Sequence, residues 1–540
     1  MKKVISIVLA VIMLMAMAVP AMSASAADTV VTVYLEGYGS GLYDANGKHV
    51  YPTDYDIMGN LKEVLDDLLK DLGKGMLLGD YDDYCDRLYD ALAPAFAEMK
   101  LDNNGEATDA NGNAYFGRGH NPVTHIKHSN SKFDGGYYRF DYDWRLSVEY
   151  NADLLEQFIK NVMARTGATK VNLVGRCLGG NIVSAYLENA PEESLAKVNK
   201  AILYIPSTLG VEFISALFSG NIVLHPDAVD NYVKYSLAGN DILGEGEDDS
   251  LLQAITTIVE FVNEVYILGF GTDVVEEIVQ AVKDNALSRI LRDSYASFPS
   301  FWSMVKAEDV DEAIALVYNT PELQTEYAGM IEKIKSYRDK VQLNAEETML
   351  ELTEKGVDIM VISKYNFANF PLSDDALKQS DSVASTTATS FGATTSNFGE
   401  TLSDKYIKSI SEENLKYLSK DNMIDASTCL LPEKTWIIKN LYHDTFPDSV
   451  DKLMNKFMTS ENMTINTYEE YPQFLKFDEE TDTLSPVEGL DEGDIIERGT
   501  IKTKLSSLMR IITLILNFFT KLLNGELSLG GLFGGDEAAA

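Results

Sequence analysis

The 540-residue chain predicts an α/β fold, a mostly parallel sheet with helices on both faces, interrupted by a large helical cap insertion. Three observations carry this expectation. Short β-branched runs alternate with amphipathic stretches from residue 30 to about 208. Strand patterning then disappears between 209 and 355, and it returns just after Gly356.

In chain order, Lys2 and Lys3 precede an apolar run, and Ala24 and Ala26 frame a cleavage site, so residues 1–26 read as a secretory signal peptide. The mature chain is then expected outside the cell or in the cell envelope. Residues 27–208 form the first part of the core. Val30 to Leu35 is a strand that runs into the glycine-rich loop Glu36-Gly37-Tyr38-Gly39-Ser40-Gly41. Helical spacing follows at 60–72 and 84–99, with a Gly/Asn-rich turn over 103–113 and an aromatic strand over 137–144 leading into Arg145. Leu154, Leu155, Phe158, Ile159 and Val162 line one helix face, and Gly167 stops that helix. A strand at 170–175, a tight turn, a helix over 181–188 and a strand at 201–205 complete a βαβ unit, which requires parallel strands.

Residues 209–355 are the cap insertion, with helix-like segments at 251–265, 274–282 and 310–317. The second part of the core spans 356–460. It opens with a strand at 357–362 and includes a Ser/Thr-rich run, 380–396, that reads as a long surface loop. An acidic linker is expected over 461–504, an amphipathic helix over 505–523 and a flexible tail over 524–540. On that helix Leu505, Leu508, Ile512, Ile515, Phe519 and Leu522 oppose Arg510, Thr513, Asn517 and Lys521. It either touches a membrane surface or packs on its own domain; Arg510 and Asn517 argue against a spanning helix.

A formal net charge of −38 excludes a nucleic-acid partner, since a phosphate-binding surface needs clustered Lys and Arg. Three cysteines in an exported chain do not make a disulfide framework; Cys85 and Cys429 are either a bridge or two buried thiols. His120, His125 and His128 sit in a Gly/Asn-rich stretch without nearby cysteines, so no metal and no cofactor is expected.

The chemistry converges on Gly175-Arg176-Cys177-Leu178-Gly179. This spacing, between an apolar strand and a helix, is that of a nucleophile elbow, with cysteine in place of serine. The helix N-terminus and Arg176 are expected to favour the thiolate of Cys177, although a buried structural cysteine is the plain alternative. Oxyanion donors would be the amide of Leu178 and that of Tyr38 or Gly39. In an α/β-hydrolase the acid and then the histidine follow the nucleophile. Of six histidines only His225 and His443 lie downstream, and His225 is too close to the elbow, which leaves His443. Asp374, Asp375 and Asp381 are available for the acid. Asp381 is preferred, because Asp374 and Asp375 follow Pro371 as a solvated helix cap.

Tyr142-Asp143-Trp144-Arg145, the elbow, and Ser297-Phe298-Pro299-Ser300-Phe301-Trp302 inside the insertion occur in an order that resembles the lecithin:cholesterol acyltransferase-like α/β-hydrolases. The resemblance covers about residues 30–450. It implies an esterase, lipase or acyltransferase acting on lipid or other carboxylic esters, and substrate contact by Trp144 or Arg145. The residues alone equally allow an Asp143–Arg145 pair with Tyr142 and Trp144 packed beside the elbow. The chain departs from the family pattern at Cys177, at Arg176, where histidine is frequent, and at Ser380-Asp381-Ser382, where Gly-Asp-Gly is usual. Gly175-Arg176-Cys177-Leu178-Gly179-Gly180 also looks like the cysteine lipase box of polyhydroxyalkanoate synthases, whose thioester passes its acyl group onward; a secretory signal argues against their cytoplasmic acyl-CoA substrates. The competing expectation is an inactive α/β-hydrolase-fold protein that binds lipid or the cell envelope.

Overall fold

The structure is a computed structural model that describes residues 29–496 except 40, 45–46, 52–56, 108–119, 224–225, 233–234, 236–276 and 278–279. The expected signal peptide, His225, the helix at 251–265, part of that at 274–282, the helix at 505–523 and the tail at 524–540 lie outside these residues.

Nine strands form the main sheet: β1 (Val30–Leu35), β2 (His128–Ser129), β3 (Tyr137–Arg139), β4 (Lys170–Arg176), β5 (Val198–Tyr204), β6 (Asp358–Tyr365), β7 (Thr435–Lys439), β8 (Phe474–Asp478) and β9 (Thr483–Pro486). Their spatial order is β9-β8-β7-β6-β5-β4-β1-β3-β2. All neighbours pair in parallel except the two edge pairs, β8 with β9 and β3 with β2.

Alternation along each inner strand sends side chains to two separate cores. Val33, Leu173, Ala201, Leu203, Ile359 and Val361 face one core. It packs helices α1 (Val148–Thr166) and α2 (Leu178–Asn189) together with the insertion. Tyr34, Val174, Ile202, Tyr204, Met360 and Ile362 face the other, against α3 (Asp448–Thr459). Strands buried on both faces need apolar residues at every position, which is why β4, β5 and β6 read as continuous apolar runs. Local signals place the helices between them. Ser147 Oγ accepts the Tyr150 amide at the start of α1, and Gly167 takes φ +75 at its end. This is an α/β-hydrolase fold.

Four expectations need correction. The 380–396 run is buried, not a surface loop: Ser380, Asp381, Ser382, Thr386 and Ser390 are inaccessible. Most of its hydroxyls are matched to partners, such as Thr386 Oγ1 to the Lys364 carbonyl at 2.7 Å and Thr389 Oγ1 with Ser363 Oγ at 2.7 Å, whereas Ser382 Oγ and Thr395 Oγ1 make no hydrogen bond. The acidic linker contains β8 and β9, because Phe474, Leu475 and Phe477 bury an apolar stripe that the acidic turn after them disguises. The aromatic strand is only β3, and residues 142–145 form a buried turn beyond it.

The helix Asp82–Leu92, placed with the core by the sequence, meets the insertion as well, and Ile57–Leu78 packs on it. Arg289 pairs with Asp86 at 2.6 Å, and Tyr89 donates to Asp293 at 2.7 Å. The covering layer is therefore built from two stretches of chain. Cys85 and Cys429 are free buried thiols that lie in different cores, so they form no bridge.

Candidate active site

The sharp turn from β4 into α2 holds Cys177 at φ +49 and ψ −120, a conformation unfavourable to any residue with a Cβ. Its neighbours make the turn feasible. A Cβ on Gly175 would stand 2.6 Å from the Gly179 carbonyl, and one on Gly179 would stand 2.6 Å from the Leu35 carbonyl and 2.7 Å from that of Glu36. The glycines of the motif thus let the end of β1 close directly onto the start of α2. This brings the loop carrying Tyr38 and Gly39 toward the elbow that carries Leu178. Gly39 takes φ +106, which glycine alone accepts readily, and the Tyr142 hydroxyl donates to the Glu36 carbonyl at 2.6 Å to support the same loop.

His443 lies beyond β7, and Asp381 lies in the segment that follows β6. His443 Nδ1 donates to Asp381 Oδ2 at 2.7 Å, and the His443 amide donates to the Asp381 carbonyl at 3.0 Å. Asp381 Oδ1 accepts the amides of Val383 and Ala384 at 3.0 and 2.8 Å. Ser382, where Gly-Asp-Gly is usual, holds φ +87, a conformation that glycine adopts readily. Asp374 begins a short 3-10 turn, and Asp375 pairs with Lys306.

Burial alone opposes the imidazolium, yet the Asp381 carboxylate and the adjacent Cys177 sulfur outweigh it and push the His443 pKa up to about 10. Asp381 is held below its ordinary value: burial would raise it, but His443 and Lys364 dominate. His443 Nε2 makes no hydrogen bond of ordinary geometry, and Cys177 is close enough to act on the ring.

Two buried cations hold the histidine segment by its main chain. Arg176 Nη2 donates to the carbonyls of Asp444 and His443 at 2.7 and 3.2 Å, while Nη1 pairs with Glu36 at 2.9 Å. Lys364 Nζ donates to the carbonyls of Tyr442, His443 and Thr445 at 2.7, 2.9 and 3.0 Å. Burial and the Arg176 charge push the Lys364 ammonium well below its usual range. The Tyr204 hydroxyl adds a bond to the Thr445 carbonyl at 2.8 Å. The ends of β4, β5 and β6 therefore grip consecutive carbonyls of one loop.

Arg176 does not turn its fork to the thiol, as the sequence led us to expect; it joins the β1 loop to the histidine loop. Lys364 and Glu36 were missed altogether. The available signal was a charged residue at the end of an apolar strand, where burial requires partners.

Trp144 and Arg145, expected at the substrate, are both buried and engaged with neighbouring protein groups. Arg145 is buried and directs Nε and Nη2 to Asp143 at 3.0 and 2.7 Å and Nη1 to the Met99 carbonyl at 2.9 Å. Trp144 is inaccessible, edge-on to Tyr38 at 4.4 Å and Phe298 at 5.6 Å between ring centres. Ser300 Oγ donates to the Trp144 carbonyl. The two motifs of the resemblance thus pack on each other and fix the covering layer beside the elbow.

With this geometry in place, comparison with known proteins is informative. Residues 136–234 match the family model for lecithin:cholesterol acyltransferase. The matched stretch runs from β3 through the elbow into the insertion. Neither a curated protein nor a solved structure gives a significant match. The family match supports acyltransferase or lipase-like chemistry in general.

Proposed function

We propose that the protein is an exported esterase, lipase or acyltransferase that acts on lipid or other carboxylic esters through a thioester on Cys177. The observation that carries the reading is a cysteine at a nucleophile elbow, within electrostatic reach of an imidazole whose far nitrogen is bound to a buried carboxylate at 2.7 Å.

The thiol proton resides on His443, whose raised pKa favours the imidazolium, and the Cys177 thiolate attacks the ester carbonyl. Asp381 orients the ring and stabilises the imidazolium that results. The amide of Leu178 and that of Tyr38 or Gly39 receive the oxyanion. Collapse of the tetrahedral intermediate breaks the bond to the alkoxide, which leaves with the proton from His443. Water or an alcohol then takes the acyl group from sulfur. The insertion covers the acyl chain.

Intact-mass spectrometry of the protein incubated with short- and long-chain p-nitrophenyl esters tests the proposal. The parent is expected to gain one acyl mass on Cys177; Cys177→Ala gains none, and His443→Ala acylates roughly 10⁴-fold more slowly. A folded parent that gains no acyl mass with any ester would favour the non-catalytic lipid-binding reading instead.

A further inference from the structure

The side chain of Asp444 has no role in the arrangement above. It is 1% exposed, yet its Oδ1 accepts no hydrogen bond. Arg176 Nη2 stands 3.7 Å away, an ion-pair distance too long for a hydrogen bond, because that nitrogen is engaged by the main-chain carbonyls of Asp444 and His443. Leaving a buried carboxyl oxygen without a donor is costly, and such a group is retained where something else supplies the donor.

Its surroundings identify what. Asp444 follows His443 directly and is close enough to influence the ionisation of Tyr51 and Tyr232. The Tyr51 ring lies 6.0 Å from that of Tyr38 in the β1 loop, and Tyr232 follows the helix Pro226–Asn231 of the insertion. The carboxyl therefore sits where the base, the expected oxyanion loop and the covering layer converge, which is where a second substrate must stand to reach a thioester on Cys177.

We propose that Asp444 positions a hydroxyl-bearing acceptor by accepting a hydrogen bond from it, which makes transfer rather than hydrolysis the favoured outcome. The inference rests on the Cys177 reading above. The acceptor oxygen forms a bond to the thioester carbonyl carbon while its proton passes to His443 Nε2. The intermediate collapses, the carbon–sulfur bond breaks, and the sulfur leaves as a thiolate that recovers the proton from His443. A polyol fits this site better than a long-chain alcohol, because a second hydroxyl can satisfy the carboxyl while the first attacks. Burial, which raises the pKa of Asp444, also makes its carboxylate a stronger acceptor than a solvated one.

The test follows a p-nitrophenyl ester reacted with the full-length protein in increasing glycerol, with released p-nitrophenol reporting acylation and chromatography separating glycerol ester from free acid. In the parent the ester-to-acid ratio should exceed the glycerol-to-water ratio and saturate. In Asp444→Asn it should fall about tenfold, as expected for loss of one charge-assisted hydrogen bond, and lose saturation. Should the Asn variant lack the parent's melting transition, Asp444→Ser is read in the same way. A burst of p-nitrophenol with the same ratio in parent and variant overturns the role of Asp444 alone. A parent without burst or adduct overturns the nucleophile reading, and this inference with it.

Discussion

His443 shows how strongly individual residues are set by their surroundings. In an unfolded chain it would titrate at about 6.5, whereas in the fold its pKa is raised to about 10. The stability that this proton contributes is complete below the unfolded value and is lost as pH rises through the folded one. Asp381 supplies the leading favourable interaction, so Asp381→Asn should bring the folded pKa down and confine the loss to a narrower range. Melting temperatures of parent and variant between pH 6 and 11 check this: the parent should lose more over that interval, and parallel curves would refute it. Asp381 and His443 were legible in the sequence because chain order and the scarcity of histidine left few choices. Ser382 was legible only as a departure from the family pattern; that it keeps a glycine-like φ of +87 needed the structure.

Among the elements, the strand ends on the side of the sheet that carries Cys177 and His443 are tightly constrained. Ile205, Asn366 and Asn440, directly beyond β5, β6 and β7, all have positive φ, so the chain turns sharply at each exit. Lys439, at the end of β7, is inaccessible and contacts Asp421 and Asp491 at 3.2 Å each and also Asp494. Asp494 in turn accepts from Asn366 at 3.1 Å, and the Tyr365 hydroxyl donates to Asp421 at 2.7 Å. One ammonium thus clasps the segment after β9 onto the sheet. Lys439→Met strands the buried carboxylates and should cost about 3–5 kcal/mol of unfolding free energy. Urea melts would measure it, and a loss below about 1 kcal/mol would mean that the clasp is dispensable. The linker expectation failed here because Glu479, Glu480 and Asp482 dominate the local composition, while the apolar stripe beneath them spans only a few residues.

For the whole molecule, charge and topology act separately. The formal net charge of −38 is a property of the surface, since most buried charges described are paired, such as Arg145 with Asp143 and Arg176 with Glu36. Self-repulsion should keep the protein dispersed at neutral pH, with a solubility minimum near its pI of 4.4. Turbidity across pH 3 to 8 tests this, and a minimum far from that value would contradict it. The covering layer is a whole-molecule feature as well, because among the described residues Asp82–Leu92 and the later insertion meet through contacts such as Arg289 with Asp86, far apart in sequence.

The sequence by itself determined strands β1, β4, β5 and β6, the elbow and the order in which Cys177, Asp381 and His443 follow one another. These depend on short-range patterns: apolar periodicity, glycines around one turn, and a rare residue type. Only the tertiary structure decided that residues 380–396 are buried, that Arg145 and Trp144 are committed to packing, and that Arg176 and Lys364 together hold the histidine loop. In each case the deciding quantity is which donor meets which acceptor once water is excluded. Much of that pairing is made between segments from tens to hundreds of residues apart, where local pattern carries little information.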